Sequence, residues 1–274
     1  MSLGPFDALF ELIRDTSAGN LHVAGILIFL LLGLALEVGF QVGRFIKRRR
    51  DPSDGEKSSV NFATAGIMGL LAFLLGVSLS MASDRYQQRR DSVLTEANAI
   101  GTSWLRAEIG TGAEGQALQR LLRRYTEVRI SAVRGGGDTT ETDGLNQLTS
   151  ALQAEMWALV RAVAERSPTA VSASLIASFN ETFDLATTNR RNFGGHVPSY
   201  ILRLLMTVSL IAVGSVGYGF GLVGSRQLGL TILLLGAWSM AIVLIIDIDR
   251  PQSGQVRIDP APLVWTLQGF GPEK

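Results

Sequence analysis

The sequence predicts an all-α, polytopic membrane protein with four transmembrane helices in two pairs and a helical bundle inserted between the pairs. Three observations predict it. The chain is 47% hydrophobic with a mean hydropathy of +0.26, and its 18% charged residues lie outside a few long apolar runs. Four such runs, about 21–43, 60–82, 199–223 and 227–246, reach the roughly 20 residues that a hydrocarbon core of about 30 Å asks of a helix. The stretch between the second and third runs carries apolar residues at helical rather than alternating spacing. The expected organisation is an N-terminal amphipathic segment (1–20), a first transmembrane pair (21–82), a soluble bundle (84–198), a transmembrane hairpin (199–246) and an extended C-terminal tail (247–274).

The first span is not preceded by a basic n-region, so a cleaved signal peptide is not expected. A basic cluster, Lys47-Arg48-Arg49-Arg50, then leads into the turn-rich Asp51-Pro52-Ser53-Asp54-Gly55. The second span continues through 84–109 without a break signal, with Val93, Ala97, Ile100 and Trp104 on one face, until Gly110 and Gly112 interrupt it. Leu118, Leu121, Leu122, Tyr125, Val128 and Ile130 mark the next helix, closed by Gly135-Gly136-Gly137 and the polar Asp138 to Gly144. Helices over about 145–166, ending before Pro168, and 168–192 complete a bundle able to bury a core. Only Gly224-Ser225-Arg226 separates the last two spans, which makes them a tight antiparallel hairpin.

The second span is divided lengthwise. At 100° per residue, Phe62, Gly66, Gly69, Phe73, Val77, Ser80 and Asp84 fall on one narrow stripe, next to a seam of small residues, Ala65, Ala72, Gly76 and Ser83. Ile67, Leu70, Leu71, Leu74, Leu75 and Leu79 take the far arc. A helix that only anchors a protein in lipid needs no such division, whereas small seams let helices approach closely. A stripe of alternating bulk and no bulk that ends in a carboxylate suits the wall of a path through a membrane assembly.

Other chemistry is poorly supported. A net charge of +1 argues against a nucleic-acid partner, and the absence of cysteine excludes disulfides, thiolate metal sites and thiol nucleophiles. His22 and His196 have no second ligand at metal spacing, so no metal or cofactor is expected. The Gly135 triplet lacks the Gly-Lys-Ser/Thr of a phosphate cradle, and no Gly-x-Ser-x-Gly elbow is present. Arg123, Arg124 and Arg129 interleave with Glu127 and read as a solvated helix face. An enzyme is not expected. Ser215-Val216-Gly217-Tyr218-Gly219 nearly spells a potassium selectivity filter, but it lies inside an unbroken apolar run with no pore helix before it. Gly214, Gly217, Gly221 and Gly224 instead repeat at helical spacing, the pattern of a packing seam. Glu37, inside the first span, admits two readings: a polar contact near a conduction path, or a carboxylate that pairs or snorkels at the basic end of its helix.

Leu75-Gly76-Val77 followed by Asp84-Arg85-Tyr86 and Arg89-Arg90 resembles the bestrophins, in which a Leu-Gly-Phe element of the second span precedes Asp-Arg-Trp and a basic pair at the same separation. The Asp249-Arg250-Pro251-Gln252-Ser253-Gly254 segment is similar to the acidic-x-Pro-Phe-Gly turn after their last span. Glu96-Ala97-Asn98-Ala99-Ile100-Gly101 and the Arg-Pro-x-Ser-Gly turn resemble more closely the bacterial bestrophin-like family. The resemblance implies a homopentameric anion (chloride) channel of a bacterial inner membrane, whose partners are lipid, copies of itself and inorganic anions. It also implies an axial pore lined by the second span, with an apolar neck at Gly69, Phe73 and Val77. Gly69 removes one ring of that neck, Val77 replaces an aromatic, and no acidic run follows the last span to form a calcium clasp. The dense basic loop Arg44–Ser59 favours the cytoplasmic side for itself, while the resemblance implies a cytoplasmic bundle. A second class stays open: a non-conducting sensor or scaffold whose bundle binds a partner.

Overall fold

The computed structural model describes residues 20–50, 52–109, 112–135, 139–250 and 254–271. Residues 1–19, nearly all of the expected N-terminal segment, lie outside them, as does Pro251. The described residues form helices α1 (Leu21–Arg49), α2 (Asp54–Glu108), α3 (Gly112–Arg134), α4 (Thr139–Arg166), α5 (Ala170–Gly194), α6 (Ser199–Val223), α7 (Leu228–Ile248) and α8 (Ala261–Gly269), and no strand. Four candidate spans are long and apolar enough to cross a bilayer, carried by α1, α2, α6 and α7. The chain divides into two compact units, residues 1–83 with 196–250, and residues 84–195 with 251–274. The unbroken α2 supplies residues to both.

In the first unit, Asn20 caps α1 by accepting from the His22 and Val23 amides at 3.1 and 3.4 Å. Ala24, Ile28, Leu32, Leu36, Phe40 and Gly43 form its buried face. That face meets α6 backbone against backbone. A Cβ on Gly217 would land on the Leu36 carbonyl, one on Gly221 on the Phe40 carbonyl, and one on Gly39 on the Gly214 carbonyl. The small residues at spacing four on both helices are what permit the approach, and they supply the attraction that burial from water cannot supply in lipid. The filter-like letters of α6 are therefore helical packing surface. Gly224 ends α6 in the left-handed region, at φ 86°, and its amide bonds the Phe220 carbonyl at 2.8 Å, which turns the chain into α7. Leu71, Leu75 and Ala82 of α2 join Leu32, Leu205, Leu235 and Ile242 in this unit's core.

The second unit buries Val93, Ala97 and Ile100 of α2 with Leu118, Leu122 and Tyr125 of α3, Leu152 and Met156 of α4, and Leu175 and Phe179 of α5. It differs from expectation at three places. Helix α4 begins at Thr139, so the polar Thr139–Gly144 stretch is helical rather than loop. Arg129 is not on a solvated face. It is buried, with Nε and Nη2 donating to the two oxygens of Glu96 at 2.5 and 3.1 Å. Its position with Leu118, Leu122 and Tyr125 on the core side of α3 requires such a partner, because an unpaired buried guanidinium is costly. The tail, finally, is not extended throughout. It carries α8, with Leu263 buried, Thr266 Oγ1 donating to the Ala97 carbonyl at 3.3 Å, and Phe270 stacked on Trp104 at 3.9 Å.

Candidate functional site

Along the membrane half of α2, one face is exposed among the described residues. Phe62 is 84% exposed, Phe73 65% and Val77 40%. Ser80 and Asp84 are exposed as well, and nothing lies within 4 Å of where a Cβ on Gly66 or Gly69 would sit. The small seam is equally open: Ala65, Ala72, Gly76 and Ser83 are exposed, with clear space at Gly76. The opposite side, Leu71, Leu75, Ser78 and Ala82, is where α2 grips its own unit. At about 1.5 Å per residue, Phe62 to Ser80 spans roughly 27 Å, close to a hydrocarbon thickness of about 30 Å. Gly69, Phe73 and Val77 sit about 6 Å apart along it. The geometry offers a bulky apolar collar at Phe73 with glycine-sized gaps beside it.

Glu37 does not stand alone. Its carboxylate accepts from Arg226 Nη2 at 2.9 Å and from Gln41 Nε2 at 3.1 Å, while the Arg226 guanidinium covers the Phe40 ring at 4.3 Å. Pairing at the end of the span is thus the observed arrangement, with a partner from the α6–α7 turn rather than from the Arg44 end of α1.

The motif residues divide between the units. In the first, buried Asp249 follows α7 and accepts from the Val197 amide at 2.8 Å, and His196 Nδ1 lies 3.2 Å from the Asp249 carbonyl. Asp249 thereby fixes the chain as it enters α6 through Pro198. In the second unit, Tyr86 packs against the bundle core, Asp84 is exposed, and the Arg85 guanidinium lies beside Gly195. Gly254 is buried, and its carbonyl accepts from Arg257 Nε at 3.1 Å.

Two groups of residues gain a role that the sequence reading had not assigned. Arg89, fully buried, donates to the carbonyls of Asn192 and Gly195 at 3.2 and 2.5 Å and so closes the C-terminal end of α5. Glu96, also fully buried, takes Arg129 on one side and Asn189 Nδ2 at 2.5 Å on the other, and Ser92 Oγ bonds Asn189 Oδ1 at 3.1 Å. Burial alone would lower the Arg129 guanidinium, but the adjacent Glu96 carboxylate reverses this and raises it. Burial pushes the neighbouring Tyr125 phenol well above its ordinary range, and the Glu96 charge adds to it. The signal was present in the sequence: Arg129 falls at the centre of the Leu118, Leu122, Tyr125 face, and Glu96 between Val93 and Ile100.

A family model described as the Bestrophin-like domain matches residues 29–263. No curated protein matches the chain. Among solved structures it is similar to a bacterial bestrophin homologue from Klebsiella pneumoniae, crystallised as a tyrosine-to-alanine variant. The two share 12% identity at a TM-score of 0.63, over 89% of this chain and 97% of that one.

Proposed function

From the premise that this chain belongs to the bestrophin-like family, we propose that it is an anion-conducting channel whose α2 helices line an axial pore in a homopentamer. The observation that carries the reading is the open stripe through Gly69, Phe73 and Val77. It is apolar from Phe62 to Val77 and exposed among the described residues. A surface of that kind in a bestrophin fold is supplied with neighbours by further copies. The exposed small seam at Ala72 and Gly76 suits a neighbouring helix, and the stripe beside it then faces the axis. A ring of Phe73 side chains narrows the path enough to gate it by dewetting. Gly69 leaves a wider section on one side of that ring, and Val77 a less bulky one on the other. The same reading places the protein in an inner membrane with its bundle in the cytoplasm.

Chloride efflux from vesicles containing the purified protein tests it. Phe73→Ala is expected to raise the flux by removing the collar, while the wild-type chain conducts less or is closed. No flux from either protein, or particles lacking five-fold symmetry in projection images, overturns the proposal and leaves a membrane-anchored bundle that acts through a partner.

A further inference from the structure

Where α1 ends, α2 begins and α6 ends, the first unit has a groove of about 520 Å³. Its walls include Ile46, Val60, Tyr218 and Leu222, and Arg50, Ser53, Glu56 and Ser59 stand among them as polar lining. We infer that this groove holds one anionic phospholipid, its acyl and glycerol portion against the apolar wall and its phosphodiester at Arg49 and Arg50. The inference goes beyond conduction and stands whether or not the chain forms a pore.

The first argument is charge. The last turn of α1 carries Lys47, Arg48 and Arg49, and Arg50 caps it beside the groove. Part of the cluster is already engaged: Arg50 pairs with Glu56 and Lys57 with Asp54, each at 3.1 Å, Arg226 pairs with Glu37, and Lys47 donates to the Val223 carbonyl. Arg49, next to Arg50, has no carboxylate partner among the described residues. Basic pockets between membrane helices at the headgroup level attract phosphate-bearing lipids on these grounds.

The second argument is the form of the lining. The Arg49 guanidinium lies over the Phe45 ring at 4.5 Å, and Phe45 is itself exposed. The pair therefore presents an apolar plane topped by a cation, the profile of a side chain at a lipid interface. Ile46 and Arg50, each one residue further along, both line the groove. An inorganic anion gains nothing from walls of Ile46, Val60 and Leu222, and a zwitterionic lipid brings no net negative charge to Arg49. A lipid with a net negative head satisfies both.

Native mass spectrometry of the full-length protein, after incubation with phosphatidylglycerol or phosphatidylcholine in detergent, reads the occupancy directly. The wild type is expected to retain phosphatidylglycerol preferentially, and excess inorganic phosphate to leave the adduct in place. Arg49→Gln with Arg50→Gln should weaken retention roughly 30-fold, from the loss of two interfacial cations. Arg44→Gln with Arg48→Gln removes the same charge from the opposite side of the last turns of α1 and should leave retention near wild type. Ser59→Trp fills the groove without changing charge and should abolish it. Equal loss in both arginine pairs, unchanged retention in Ser59→Trp, equal retention of the two lipids, or displacement by phosphate overturns the inference.

Discussion

Between Asp54 and Ser83, α2 buries only Leu71, Leu75, Ser78 and Ala82, whereas from Asp84 to Glu108 it buries Arg89, Ser92, Val93, Glu96, Ala97, Ala99, Ile100, Ser103 and Ala107. One uninterrupted helix is thus mostly exposed in one half and largely buried in the other, among the described residues. The two units are also held together by different physics. The membrane unit relies on backbone approaching backbone at Gly39, Gly43, Gly217 and Gly221, because lipid provides no hydrophobic drive between helices. The bundle unit buries aliphatic and aromatic side chains from water and adds a buried ion pair at its centre. Space is the scarce quantity in the first and unpaired charge the expensive one in the second.

The contrast can be broken most forcefully at Glu96. Glu96→Ala strands the Arg129 guanidinium and is expected to cost about 3–5 kcal/mol of bundle stability, read by thermal or chemical unfolding. Replacing both partners, as in Glu96→Leu with Arg129→Met, should recover most of that loss. If it does not, the penalty belongs to Asn189 and Ser92 rather than to the stranded charge. Leu263→Ala should remove about 3 kcal/mol, since α8 buries that side chain completely, and trypsin should then cut the C-terminal segment faster. In the membrane unit, Gly217→Ala should cost about 1–3 kcal/mol through its clash with the Leu36 carbonyl. Gly66→Ala, which meets open space, should stay within about 1 kcal/mol of wild type in the same detergent-melting assay. Equal effects at the two glycines would erase the distinction between packed and open faces.

The smallest effect is electrostatic. A hydrogen bond from Arg166, at 2.6 Å, holds the Glu114 carboxyl below its ordinary value of 4.5. A depressed folded-state pKa contributes stability that is present above 4.5 and lost as pH falls through the folded value. Glu114→Gln should therefore flatten the acid-side slope slightly without moving the midpoint of unfolding at neutral pH by much, because Arg166 is exposed and Glu114 only half-buried.

Much of this architecture was legible in the letters. No Pro or Gly pair interrupts 84–108, so the continuation of the second span as one helix followed from the sequence, and the three-residue link before Gln227 dictated the α6–α7 hairpin. The open stripe was likewise readable as periodicity, although which side of α2 its own subunit would claim was not: Leu71 and Leu75 belong to the same apolar arc as Leu70 and Leu79, and only the packing distinguishes them. The sequence hides the burial of Arg129 because its neighbours at 123, 124 and 127 are polar and partly or fully exposed. Its own angular position among Leu118, Leu122 and Tyr125 was the better guide. Helix α8 escaped notice for a different reason. A nine-residue, proline-flanked segment is too short to be helical alone, and it takes that form through Leu263, Thr266 and the Phe270–Trp104 stack.

The glycine crossing between α1 and α6 sets a schedule for biogenesis. Gly43 leaves the ribosome 174 residues before Gly217, a delay of roughly 9–35 s at about 5–20 residues per second. During that interval α1 resides in the bilayer with its groove for α6 unfilled, and Glu37 waits for an arginine that has yet to be translated. Whatever shelters nascent membrane segments at the translocon must therefore cover a carboxylate and a bare strip of backbone until the second half of the protein arrives.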